Sequence, residues 1–195
     1  VAQVLGTADV AALLAGKRVA VVGNATSALD GSAGEEIDGH DAVLRLNAGV
    51  PGPEHHGALG RRTDILSVGN LTVLRDSMYR LGRPPLQVWF GKPRFSRLGT
   101  REWGQLQEQA DYPIWRIPHE RMQAIHDEIG AWPSGGLVAV DAALEWGGSV
   151  DLYGFDWFRG PTWWHSERPD AKIGGKFVHD GAKERAWMER RGLIR

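Results

Sequence analysis

The chain has 195 residues, with 23 Lys and Arg against 24 Asp and Glu, and a formal net charge of -1. At this length a single core buries roughly 70% of the surface the unfolded chain exposes, so neither disulfides nor a structural metal is required. The balanced charge gives no electrostatic footprint for nucleic acid. The absence of cysteine excludes a thiol nucleophile, a Cys-ligated metal site and a disulfide scaffold, and leans towards a reducing compartment.

No stretch approaches the ~20 apolar residues of a membrane span, and the N-terminal segment lacks the basic flank and apolar run of a signal peptide. The Val1 start is what a processed or trimmed chain would show. Residues 8–15 read as a short amphipathic helix. Val19-Ala20-Val21-Val22, closed by Gly23, then reads as a buried parallel strand. Further strands are predicted at 41–46, 65–68, 86–90, 112–117 and 150–153, and helices at 71–81, 100–110, 119–129, 136–146 and 181–191. There is no internal repeat. The alternation predicts one α/β domain over residues 1–195, with a mostly parallel sheet, helices on both faces, and ligands gathered at the carboxyl ends of the strands.

Small hydrogen-bonding residues stand at those ends. Gly23-Asn24 follows the first strand, Asn47 the second, Ser134-Gly135-Gly136 opens a helix, and Gly154-Phe155 follows the last clear strand. Four such loops would form a concave site for a polar, phosphorylated ligand. Each also has a plain structural reading: Asn24 and Asn47 suit turns, and Ser134 suits a helix N-cap. Neither the Rossmann dinucleotide fingerprint nor the P-loop occurs.

Histidine is the side chain whose ordinary pKa suits a base near neutral pH. His165, beside Trp163 and Trp164, and His179, five residues before Glu184, lie in a stretch whose composition suits a lid. Glu184 falls in the first turn of a helix, where a carboxylate is favoured and can orient a nearby backbone or partner group. His40, His55 and His56 read as loop residues. His119 and His126 share a helix face, but a metal pair normally wants i,i+4 spacing and a third ligand, so a metallohydrolase is a minor alternative.

In this order the loops resemble the sialyltransferases of glycosyltransferase family 29. The family's large motif is matched by Val19-Ala20-Val21-Val22-Gly23-Asn24 followed by Ile37-Asp38-Gly39-His40-Asp41-Ala42-Val43-Leu44-Arg45-Leu46-Asn47. Its small motif is matched by Pro133-Ser134-Gly135-Gly136 and Asp151-Leu152-Tyr153-Gly154-Phe155, its third by Trp163-Trp164-His165-Ser166, and its very small H-x-x-x-x-E motif by His179 to Glu184. Trp164 and Ser166 depart from the third motif, and Gly135 and Asp156 from the small motif.

The resemblance implies a single modified-Rossmann domain, a GT-A-like variant, performing metal-independent, inverting transfer of sialic acid from CMP-sialic acid to a sugar hydroxyl. No cofactor is implied, and the partners would be a CMP-activated acidic sugar and a glycan acceptor, with no nucleic acid. It assigns His179 as the general base and His165 to the departing phosphate. Gly23, Asn24, Asn47, Ser134, Gly135, Gly136, Gly154, Phe155 and Trp163 would hold the donor and nucleotide, with Glu184 in support. A CMP-Kdo transferase or an inactive CMP-binding module are the alternatives, and a bacterial cytoplasmic setting is expected. In animal relatives a disulfide joins the positions that fall here on Val19 and Gly147, and packing around Val19 is expected to replace it.

Overall fold

The computed structural model describes residues 2–91, 97–164, 172–173, 176–177 and 179–194. Six parallel strands form the sheet: β1 (Arg18–Val22), β2 (Ala42–Leu46), β3 (Ile65–Val68), β4 (Gln87–Phe90), β5 (Ile114–Arg116) and β6 (Ser149–Tyr153), in spatial order β5-β4-β3-β2-β1-β6. The chain thus steps outward from β1 to β5 and then returns to pair β6 with the other edge of β1. Val19 lies opposite Ala42 on one side and Val150 on the other. That reversal is a topological switch point, the place where open parallel sheets leave a crevice above their strand ends.

The strands are mostly apolar runs whose side chains alternate between faces. Val19, Val21, Leu44, Leu46, Ile65 and Trp89 face one core, against α1 (Thr7–Leu14), α6 (His119–Ile129), α7 (Gly135–Trp146) and α8 (Gly181–Arg190). On the opposite face Leu66, Val68, Val88 and Phe90 pack with α4 (Leu71–Leu81) and α5 (Arg97–Gln109). On that face too, Ala20, Val22 and Val43 meet Ile37 of α2 (Gly34–Asp38) and Leu59 of α3 (His56–Leu59). Helices therefore cover both faces, as the sequence predicts.

Most element limits fall within two residues of their predicted positions. α5 is the exception, beginning at Arg97 rather than at 100. The short helices α2 and α3 go unpredicted, because five and four residues cannot display a helical hydrophobic period. Also unpredicted are the two-residue strands β7 (Lys172–Ile173) and β8 (Lys176–Phe177), paired antiparallel in the stretch read as a lid. Val4 bridges Ile114 in parallel, so the N-terminal segment covers the β5 edge.

Local chemistry sets the helix ends that matter for the site. Ser134 caps α7 by accepting from Leu137 N, and Asp180 caps α8 by accepting from Ala182 N and Lys183 N. Glu128 of α6 accepts from Trp187 Nε1 at 2.9 Å and from Arg190 and Arg191 at 3.1 and 2.9 Å. These bonds hold its carboxyl down at about 2, the Arg191 guanidinium contributing most, and fasten α8 to α6. Among the described residues no helix is long and apolar enough to cross a membrane.

Candidate active site

At the switch point the loops after β1 and β6 close on each other. Gly23 N donates to Tyr153 O at 2.7 Å and Ala25 N to Gly154 O at 2.9 Å. A Cβ on Gly23 would stand 2.4 Å from the Gly154 carbonyl oxygen, and Gly154 itself has φ +66°. Only glycine allows this approach and this backbone, so both glycines of the two motifs answer to one packing requirement. Phe155 fills the space beside them, within 3.1 Å of a Cβ at Gly23 and 3.4 Å of one at Gly136. The loops after β1 and β6 and the start of α7 therefore converge on the Phe155 ring.

The loop after β2 joins them through Asn24. Asn24 Nδ2 donates to Leu46 O at 3.0 Å, and a Cβ at Gly49 would lie 2.2 Å from Asn24 Oδ1. That Oδ1 is buried and has no hydrogen-bond partner among the described residues. A buried acceptor left open is costly and marks a place where a ligand donor is expected. Trp163 N donates to Asn24 O at 3.0 Å, and the Trp163 indole Nε1 is likewise buried without a partner among the described residues. Asn47 sits at φ 50°, accepts at Oδ1 from Gly69 N at 3.2 Å, and offers its carbonyl to Ser77 Oγ at 2.9 Å. Its side chain is thus partly occupied in building the turn.

Ser134 is more fully engaged than the sequence suggests. Glu184, 3% exposed, accepts from Ser134 N through Oε1 and meets Ser134 Oγ through Oε2, both at 2.7 Å. The carboxyl reaches across from the first turn of α8 to the cap of α7. Burial pushes it up to about 7, against the pull of the Ser134 bonds. With Ser134 spent on Glu184 and Leu137, the N–H groups of Gly135 and Gly136 are the first-turn donors left to face an anion.

His179 stands just before α8. Its Nδ1 lies 2.9 Å from Trp132 O, and a carbonyl only accepts, so Nδ1 carries a proton and Nε2 is free to be the basic nitrogen. Burial lowers its pKa from the usual 6.5, with the Trp132 bond opposing. The Phe158 ring lies nearly parallel to the imidazole, 19° between planes and 6.0 Å between centres. His165 falls outside the described residues.

One other histidine corrects its sequence reading: His56 opens α3 rather than lying in a loop. His40 lies in the bend between α2 and β2 as expected, but it is buried at 3% exposure, with Nδ1 2.9 Å from Glu36 O and Nε2 2.9 Å from Asp151 Oδ2, so it ties α2 to β6. His55 meets Trp163 edge-on at 5.4 Å. His119 and His126 both pack against the Trp132 ring, at 6.4 and 4.5 Å. Among the described residues no three His, Asp or Glu side chains gather as a metal-binding group.

Sequence reasoning missed Arg45, whose position in the large motif was the available signal. It is fully buried beneath the site, donating to Arg62 O at 2.8 Å and Leu59 O at 2.7 Å. Burial lowers its pKa to about 10, while Asp38 and Asp64 oppose the shift. It missed as well the Trp132 carbonyl and the turn at 156–160, which no side-chain pattern announces.

Residues 12–86 match the family model described as glycosyltransferase family 29 (sialyltransferase). Beta-galactoside alpha-2,6-sialyltransferase 1 of the mouse, Mus musculus, is 27% identical over an alignment of 164 residues that covers 71% of this chain and 40% of that protein. The chain thus spans two fifths of the length of this curated relative. The crystal structure of a mammalian sialyltransferase superposes with a TM-score of 0.65 at 20% identity, covering 92% of this chain and 68% of the other. A second structure, of a mammalian sialyltransferase in complex with Gal-beta-1-3GalNAc-ortho-nitrophenol, gives 0.65 at 20% identity and covers 95% and 70%. Residues 12–86 are thus similar to glycosyltransferase family 29, and the chain shares the fold of the mammalian sialyltransferases.

Proposed function

We propose that the chain is an inverting glycosyltransferase that moves sialic acid from CMP-sialic acid to a sugar hydroxyl without a metal ion, with His179 as general base. The observation that carries this reading is the His179–Trp132 hydrogen bond, which leaves Nε2 as a lone-pair acceptor, in a residue placed beside the cap of α7. Nε2 takes the proton of the acceptor hydroxyl as that oxygen bonds to the anomeric carbon of the donor. The bond from that carbon to the phosphate oxygen breaks, and CMP departs with the electron pair.

Negative charge grows on the departing phosphate, and fixed dipoles meet it without reorganising. The Gly135 and Gly136 N–H groups at the start of a 12-residue helix supply such dipoles. The open Asn24 Oδ1 and the Trp163 Nε1 suit the donor and acceptor edges of a nucleoside. Glu184 acts by holding Ser134, which fixes the first turn of α7, and His165 is proposed at the leaving phosphate on the resemblance alone.

The test is CMP release from CMP-sialic acid and, separately, CMP-Kdo, with and without EDTA. Release that survives the chelator, and a 10²–10⁴-fold fall in kcat for His179→Ala with CMP affinity retained, is the expected result. Near wild-type turnover by His179→Ala would overturn the base assignment. CMP binding by calorimetry with no turnover of either donor would point instead to a binding module.

A further inference from the structure

Helices α4 and α5 cover the face of the sheet that carries Leu66 and Val88, their buried sides filling that core. Leu71 N donates to Glu102 Oε1 at 3.2 Å, and Arg75 Nη2 to Gln109 Oε1 at 3.4 Å. The two helices therefore lie side by side in the same direction and share one outer surface. Arg75, Arg80, Arg97 and Arg101 are exposed there against Asp76 and Glu108, and the turns beyond the helices add Arg83 and Asp111. Among the described residues none of these five arginines lies in an ion pair, whereas Arg61, Arg62, Arg121, Arg185, Arg190 and Arg191 each face a carboxylate. A net positive surface thus stands on a chain whose formal net charge is -1.

Apolar side chains are exposed in the same place. Tyr79 is 90% exposed on α4, Leu98 56% on α5, and Leu86 57% in the turn before β4; Val4 is the one other large hydrophobic residue so exposed among the described residues. Cations and apolar side chains on one surface fit a boundary where the charges meet anionic headgroups and the apolar groups enter the edge of the acyl region. A tyrosine, apolar along its ring and polar at its tip, suits that depth. A polyanion such as a nucleic acid or a sulfated glycan would engage the arginines and leave Leu86 and Leu98 in water. We propose that the α4–α5 surface docks the protein on an anionic lipid bilayer, as a peripheral contact through exposed side chains. The candidate site is built by the loops after β1, β2 and β6 and by the starts of α7 and α8, so contact through α4 and α5 leaves it open.

Sedimentation with vesicles of equimolar phosphatidylcholine and phosphatidylglycerol tests this without any turnover. Wild type is expected to bind them at an ionic strength of about 0.05 M and to lose most binding at about 0.5 M, where salt screens the arginines. An arginine near an anionic surface is worth about fivefold in partitioning, so pure phosphatidylcholine should be bound at least about tenfold less well. Arg80→Glu/Arg83→Glu and Arg97→Glu/Arg101→Glu, at exposed positions, should each weaken binding by at least about tenfold. Tyr79→Ser/Leu98→Ser should weaken it while keeping the salt dependence. Arg185→Glu/Arg190→Glu makes the same change in charge on α8, across the sheet, and should bind as wild type does; circular dichroism checks that each variant is folded. No vesicle binding by wild type, equal binding to phosphatidylcholine alone, or equal losses in the α8 and α4–α5 variants would overturn the proposal. Full binding by Tyr79→Ser/Leu98→Ser would overturn it as well, and so would binding of heparin or single-stranded DNA without vesicle binding, which would assign the surface to a polyanion.

Discussion

His179 and Glu184 shift in opposite directions for the same physical reason, burial, which disfavours the charged form of each. The imidazole is lowered below 6.5, so it stays neutral and basic at a pH where an exposed histidine begins to protonate. We expect kcat/KM against pH to lose activity on an acid limb lying below the ordinary histidine value, measured as CMP release. Glu184 is raised from 4.5 to about 7, so the folded state holds its proton more tightly than the unfolded one. Its contribution to stability is fully present below about 4.5 and is lost as pH rises through about 7. Glu184→Gln keeps an acceptor for Ser134 N–H and a donor for Ser134 Oγ but cannot ionise. Its Tm relative to wild type should therefore rise between pH 5 and pH 8; a constant difference across that range would refute the assignment. His179 and Glu184 are legible in the sequence as a spaced pair. Their partners, the Trp132 carbonyl and the Ser134 cap 50 residues away, are not, because such contacts follow from how helices pack and leave no local pattern.

At the scale of elements, the strands and the longer helices are legible because each repeats its burial pattern over enough residues. α4 and α6, eleven residues each, show the helical period, begin at Asn70 or after Pro118, and stop at left-handed Gly82 and Gly130. The glycines between elements read differently. Gly23 could be a turn or a phosphate-binding residue by sequence alone, and the structure gives it a third task, admitting the Gly154 carbonyl. Gly23→Ala places a methyl 2.4 Å from that oxygen, and backbone there cannot swing aside as a side chain would. It should cost about 1–3 kcal/mol by overpacking in urea unfolding and weaken CMP binding together with it. A Gly23→Ala variant as stable as wild type would mean the two loops are not rigidly paired.

For the whole molecule, the positions that resemblance links by a disulfide in animal relatives come together here without one. A Cβ at Gly147 would lie 3.3 Å from Val19 Cγ2, and Val19 is fully buried. The valine side chain occupies the space, as expected of a chain with no cysteine. Val19→Ala should lower stability by about 2 kcal/mol in urea unfolding, and a loss below the error of that measurement would show that the contact carries no weight. Sequence by itself determined the α/β class, the parallel strands and the motif residues at their carboxyl ends, because strand and helix periods and glycine-bounded loops are local properties. Only the tertiary structure decided the order β5-β4-β3-β2-β1-β6, which sets the loops after β1 and β6 face to face. It alone also decided the burial of Arg45 and Glu184 and the ring beside His179. Strand order, burial and the partner of a buried polar group depend on residues distant in the chain, and the cost of leaving such a group unpaired is settled only when the whole molecule closes around it.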